Sequence, residues 1–208
     1  PDLETVGHTI LSTSNPDPTS SMDFSSRGDG RIAFLFKELS TTTAESTGRF
    51  RIVVIGREGG EWHADLDEGL ANAVSFAGTN DVVLLRSSID QQTGQRSFSL
   101  DRWNADDGSG HSSAPLPTTV REIGAPMIPA PEGNLFIANA DGIGVTRVSV
   151  SGDVLWSRVD VPKGTNSQVR DIRSGEDGSV WAAGRRAESV ESEAGVVVRI
   201  DAAGNLAG

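Results

Sequence analysis

The stretch Glu176-Asp177-Gly178-Ser179-Val180-Trp181-Ala182-Ala183 is an acidic tight turn that runs straight into a short apolar strand. The same order recurs upstream. Gly28-Asp29-Gly30 precedes Arg31-Ile32-Ala33-Phe34-Leu35-Phe36, Gly78-Thr79-Asn80 precedes Asp81–Leu85, and Pro131-Glu132-Gly133 precedes Asn134–Ala138. These runs open at positions 31, 81, 134 and 179, in steps of 50, 53 and 45 residues. Self-similarity at such a period is the mark of a repeat architecture.

Working outward from each run, every unit has room for four strands. A first strand lies before the turn: Met22–Ser26, Ala73–Ala77, Ile123–Ile128 and Val169–Arg173. The third strands are Phe50–Ile55, Arg96–Trp103, Gly144–Val150 and Gly195–Ile200; the fourth are Glu61–Leu66, a weak His111–Leu116, Asp153–Val161 and a start at Asn205. Third strands alternate (Thr146, Val148 and Val150 against Val145, Arg147 and Ser149), as strands with one better-buried face do. Second strands are near-continuous apolar runs, the pattern of burial on both faces. Their turns place Gly, Asp and Asn where tight hairpins need positive φ. Helix signals are nearly absent; the best, Leu66–Ala73, is short and interrupted by glycine.

Four-stranded antiparallel units of this length predict an all-β chain, a β-propeller of about four blades, with units over residues 14–66, 67–117, 118–162 and 163–208. A β-sandwich is the alternative, because sixteen short strands suit it as well; equal spacing favours blades. The lone stretch Thr9–Thr13 leaves two closures open. It completes the last blade of a four-bladed ring, or the chain belongs to a larger propeller whose remaining blades lie beyond Gly208, which is the expected case.

From Gly133 to Arg158 the sequence runs Gly-Asn-Leu-Phe-Ile-Ala-Asn-Ala-Asp-Gly, then Val-Thr-Arg-Val-Ser-Val-Ser-Gly-Asp-Val-Leu-Trp. Unit four repeats it from Asp177 to Gly184 and from Val198 to Leu206. This resembles the blade repeat of bacterial PQQ-like propellers, in which a hairpin of the form D-x-x-G-x-x-x-W closes each blade. The resemblance is close in units three and four and loose in units one and two, where Trp62 follows Gly60 by two residues and His111-Ser112 stands in place of a tryptophan. It implies the architecture; no residues match a quinone-binding set, so no cofactor is expected.

Composition narrows function. The 208 residues carry 18 basic and 29 acidic side chains, a net charge of −11 that opposes binding to phosphate backbones or anionic membranes. No apolar run approaches the roughly 20 residues of a membrane-spanning helix. Zero cysteines exclude disulfides, thiolate catalysis and Cys-ligated metals. The chain opens at Pro1 with no apolar leader, which fits a mature exported form or a segment of something longer, and an extracytoplasmic bacterial setting is the expectation.

Few residue clusters carry chemistry. His8, His63 and His111 fall on a terminus, an outer strand and a Ser/Gly loop, and read as surface histidines. Gly108-Ser109-Gly110 lacks the order of a nucleophile elbow, and Gly142-Ile143-Gly144 joins strands rather than opening a helix. The acidic turns Asp106-Asp107-Gly108, Asn139–Gly142 and Glu176–Gly178 hold hard oxygen ligands but do not fit a calcium loop, so no metal is expected. Trp62, Trp103, Trp156 and Trp181 read as rings wedged between blades. The connections between second and third strands (Glu38–Gly48, Ser87–Gln95, Gly184–Ala194) and those between blades share one face, where Arg121, Glu122, Arg170 and Asp171 stand near the starts of first strands and would line the channel mouth.

No catalytic set is assigned. A non-catalytic module presenting these loops to a protein or surface ligand is the first reading. A glycosidase or polysaccharide lyase using Glu122 and Asp171 is the second, and a scaffold recruiting partners by strand addition is the third.

Overall fold

The computed structural model describes residues 19–38, 49–56, 58, 60–66, 70–120, 123–140, 142–162, 167–189 and 192–207. Thr9–Thr13, His8, Arg121, Glu122 and Asp141 lie outside them. Among the described residues sixteen strands follow one another, and the only helical turn is the short 3-10 segment Pro131–Gly133.

Blade one is β1 (Thr19–Ser26), β2 (Ile32–Glu38), β3 (Arg49–Ile55) and β4 (Glu61–Leu66). Blade two is β5 (Leu70–Ala77), β6 (Asp81–Ile89), β7 (Arg96–Asn104) and β8 (Ser112–Pro115). Blade three is β9 (Ile123–Pro129), β10 (Leu135–Asn139), β11 (Gly142–Val148) and β12 (Val154–Pro162). Blade four is β13 (Gln168–Ser174), β14 (Val180–Ser189), β15 (Ser192–Ile200) and the two-residue β16 (Leu206–Ala207). Within each blade, successive strands pair antiparallel in chain order. A single parallel pair, Gly142 with Gln168, joins blades three and four into one eight-stranded sheet.

Side-chain parity explains why these sheets stack. A strand sends alternate residues to opposite faces. In β2, Ala33 and Leu35 face blade two, where they meet Val82 and Leu84 of β6. The other face of β6, Val83 and Leu85, packs on Leu135 and Ile137 of β10. The next residues of β10, Phe136 and Ala138, pack on Val180 and Ala182 of β14. Three separate cores thus lie between four blades, and β6 and β10 are buried on both sides. A sandwich would place these second strands in one layer around one shared core. The double burial of β6 and β10 shows face-to-face stacking instead.

The stack is open at its ends. Phe24, Phe34 and Phe36 lie on the free face of blade one, with ring centroids 6.4 and 5.8 Å apart. Trp181 and Val197 lie on the free face of blade four, 45% and 66% exposed. Trp181 therefore departs from the expectation that all four indoles are wedged between blades: its parity points it to the side where no blade stands among the described residues. Trp62, Trp103 and Trp156 do pack in cores.

The Gly184–Ala194 stretch is not a loop. β14 and β15 stay paired from Val180↔Ile200 out to Ser189↔Ser192, and Arg185 and Arg186 sit on that extended hairpin. Ser87–Gln95 shortens in the same way to a tight turn from Asp90 to Gln95, because β6 continues through Ile89.

Candidate functional site

The two ends of the blades differ. At one end lie the turns joining first to second and third to fourth strands, and they interlock from blade to blade. The Arg27 guanidinium donates to the Thr79 carbonyl at 2.5 Å, and Arg31 pairs with Asp106 at 2.8 Å. Arg147, 9% exposed, donates to the carbonyls of Pro131 at 3.2 Å and Ala202 at 3.4 Å and stands over the Phe136 ring. Asp177 is held at about 2 by the adjacent Ser179 hydroxyl, the Ser179 N–H at 3.1 Å and the Arg199 guanidinium at 2.6 Å. These carboxylates are occupied in fastening turns. Among the described residues no group of three or more His, Asp or Glu is arranged to hold a metal ion.

The opposite end carries the starts of the innermost strands β1, β5, β9 and β13 and, among the described residues, the second-to-third turn Asp90–Gln95. Each of these strands has a register shift near its start: between Ser21 and Asp23, between Ala71 and Ala73, across Ala125-Pro126, and between Val169 and Asp171. A bulge of this kind bends the strand and re-aims a side chain, and bulges concentrate at barrel rims and beside active sites. Met22, Asn72, Ala125-Pro126 and Arg170 are the extra residues. Asn72 is anchored, donating to the Leu70 carbonyl at 3.1 Å and the Ser87 hydroxyl at 3.0 Å. Arg170 is exposed, and the adjacent Asp171, itself half-buried, pairs with the exposed Arg173 at 3.0 Å. The structure therefore places Arg170 and Asp171 together at the start of β13. Arg121 and Glu122 fall outside the described residues.

One half-buried carboxylate lies beside this mouth. Asp23 faces blade two, and its Oδ2 accepts from the Val74 N–H at 2.9 Å, while the Ser25 hydroxyl accepts from the Phe76 N–H at 3.4 Å. Side chains of one innermost strand thus satisfy edge amides of the next, which the blade's own ladder leaves open. Burial pushes the Asp23 carboxyl above its ordinary range, against the lowering pull of the Val74 and Phe24 amides.

A second polar cluster escaped sequence reasoning. Asp101 on β7 is fully buried between blades one and two, and its Oδ2 accepts from Arg86 Nη1 at 2.8 Å. His111 Nε2 stands 3.9 Å from the same oxygen, and the imidazole stacks on Trp103 with centroids 4.7 Å apart. His111 is exposed, as the sequence suggests, with its side chain 52% accessible, and its ring is in addition stacked on Trp103. The signal in the sequence was Asp101 itself, a charge two residues from Trp103 and so on the same strand face.

No protein-family model matches the sequence, and no curated protein matches it. Among solved structures, the chain is similar to a luciferin-regenerating enzyme, with a TM-score of 0.56 and 14% identity over 87% of this chain and 61% of that one. A protein of unknown function from Bacteroides caccae aligns with a TM-score of 0.48 at 11% identity, over 90% of this chain and 80% of its own. HIRA(644-1017) aligns with a TM-score of 0.43 at 14% identity, over 96% and 57%. The first of these likenesses, at its low identity, speaks for the fold alone, which is β-propeller-like. The chain spans 61% of the length of that neighbour.

Proposed function

We propose that this chain is a non-catalytic binding module of an extracytoplasmic bacterial propeller protein, with repeats of the PQQ-like kind, that presents its loop-bearing end to a protein or surface ligand. The observation that carries the reading is the contrast between the ends. The turn end is fastened by arginines and capped carboxylates, whereas the loop end carries four bulged strand starts and exposed charges at Arg170 and Asp171. Functional groups on loops over a rigid scaffold are the usual arrangement for binding. The net charge of −11 directs the choice of partner away from nucleic acid.

A carbohydrate-active enzyme using Glu122 and Asp171 is the second reading. It requires an unengaged carboxylate pair, and Asp171 is engaged by Arg173. The two separate in one assay series, in which a panel of immobilised polysaccharides and bacterial surface proteins is screened for binding and, in parallel, for turnover. The binding reading expects retention without turnover, weakened at least about tenfold by Arg170→Glu at unchanged melting temperature. Turnover that collapses in Glu122→Gln or Asp171→Asn would establish the enzyme.

A further inference from the structure

We infer that the loop end of the stack carries a slot between blades two and three that holds an extended, uncharged peptide segment of a partner protein. This deepens the binding reading and rests on it. Both walls belong to inner blades, so the slot does not depend on what lies beyond either end of the stack.

The face that blade two turns toward blade three changes character along β6. Val83 and Leu85 lie in the shared core, and the next residues on that face are buried Ser87 and then exposed Ile89. Leu70 is the register partner of Ser87, and the bulge residue Asn72 donates to the Ser87 hydroxyl at 3.0 Å. Blade three changes in the same way. Beyond Ile137 on β10 comes Asn139, whose Oδ1 accepts from the Thr146 hydroxyl of β11 at 2.8 Å. The Ser157 hydroxyl of β12 lies 2.8 Å from Thr146 Oγ1. Thr146 has one proton and gives it to Asn139, so Ser157 donates to Thr146. Val159, two residues after Ser157, lies on the same strand face.

Two carboxamide groups remain available. Asn139 is 5% exposed, and its Nδ2 has no hydrogen-bond partner among the described residues. A donor this buried is ordinarily paired, because leaving it open is costly. The atom is not sealed in the interior as the orphaned Asp101 Oδ1 is, and so it opens to the surface. Asn72 directs its Nδ2 hydrogens to the Leu70 carbonyl and Ser87, which leaves its Oδ1 to accept. The slot thus offers amide donors from blade three and an amide acceptor from blade two.

The two walls differ in height. β6 continues from Leu85 to Ile89 before it turns, whereas β10 continues only from Ile137 to Asn139. At about 3.3 Å per residue, blade two overhangs blade three by roughly 7 Å. On the overhang Leu70 and Ile89 are each 43% exposed, and Val159 on the opposite wall is 38% exposed. Clustered apolar side chains around a few placed polar groups are the make-up of a binding site.

The occupant follows from these groups. The slot side chains are neutral in a chain of net charge −11, and charged residues stand at the rims, Arg96 opposite Ile89 and the bulge residue Asp160 beside Val159. An uncharged segment is the complementary one. A peptide backbone presents both C=O acceptors for Asn139 and N–H donors for Asn72, and its alternate side chains reach the aliphatic edges. A saccharide also offers hydroxyls, but its C–H faces stack best on exposed aromatic rings, and the exposed edges here are Leu, Ile and Val.

The test exposes the intact chain to an array of uncharged peptides of about eight residues, roughly 26 Å when extended, with aliphatic side chains at alternate positions. A panel of neutral polysaccharides is run beside it, and the strongest peptide is titrated by fluorescence anisotropy. Leu70→Asp and Ile89→Asp, both at exposed positions, should each weaken that peptide at least about tenfold at unchanged melting temperature. The side-chain amide resonances of Asn139 should shift during the titration. Peptide binding that Arg170→Glu abolishes and both slot variants leave intact keeps the binding reading and overturns the slot. Retention of a neutral polysaccharide with no peptide bound overturns it too, as does an array on which nothing binds. The binding reading falls separately, through turnover that collapses in Asp171→Asn.

Discussion

The indole N–H of Trp62 in blade one donates to the carbonyl of Ala105 in blade two at 3.1 Å, across 43 residues of sequence. Trp156 in blade three repeats the bond to Ala202 of blade four at 3.2 Å, across 46 residues. Each ring lies on a turn glycine of the next blade. A Cβ on Gly108 or Gly204 would stand 2.8 Å from the indole, and both have the left-handed φ that favours glycine, +71° and +88°. Between blades two and three, Ala114 and Pro115 take the ring's place against Gly152. The indole therefore acts as a latch between blades, satisfying its own N–H while covering a turn.

Trp156→Ala should lower unfolding free energy by about 2 kcal/mol, below the full range for a buried tryptophan because the ring is partly exposed. Gly204→Ala should cost about 1–3 kcal/mol from backbone strain and collision with the ring. The double variant should lose less than the sum, since both act on one contact. Urea titration of the four proteins checks this, and strict additivity would argue against the latch.

Arg86→Ala should be more costly than its partial exposure implies. It strands the Asp101 carboxylate, which is fully buried with Arg86 donating to it at 2.8 Å. Removing one partner of a buried pair costs about 3 kcal/mol or more. Asp101→Asn combined with Arg86→Ala should recover part of the loss, and chemical denaturation measures both.

Asp23 and Asp177 should pull acid stability in opposite directions. The raised pKa of Asp23 means the fold binds its proton more tightly than the unfolded chain does. Its stabilising contribution is therefore full below about 3.9 and lost as pH rises through the folded value. Asp23→Asn, which keeps an acceptor for Val74, should raise the melting temperature at pH 7 and match the parent protein in acid.

Asp177 has the reverse sign. Its depressed value means a contribution present above about 3.9 and lost as pH falls toward about 2. Asp177→Asn should lower the melting temperature at pH 7, with the difference shrinking as pH falls through about 2 and vanishing below it. Thermal melts across the acid range read both variants.

The blades were legible because each second strand begins just after a turn with its own chemistry, and Glu61–Leu66 appears in the structure with the same ends that the apolar pattern gives it. The Gly184–Ala194 stretch was misread because glycines and charges imitate a loop, whereas in β14 and β15 they alternate across a paired ribbon. The bulges were hidden for another reason: register belongs to two strands at once. A trace did exist in β13, where buried Val169 and Ile172 are three residues apart in a strand whose period is two. The Arg86–Asp101–His111 cluster depends on how β6, β7 and β8 align, which no single segment encodes.

The most direct test of the stacked-blade account is a methyl NOESY spectrum of the labelled protein. It should show contacts from Leu35 and Ile52 to Val82 and Leu84, and a separate set from Val83 and Leu85 to Leu135 and Ile137. No cross-peak should link Leu84 to Ile137, because β6 stands between their two cores. A strong Leu84–Ile137 contact would mean one shared core, and the account of radial blades would fail.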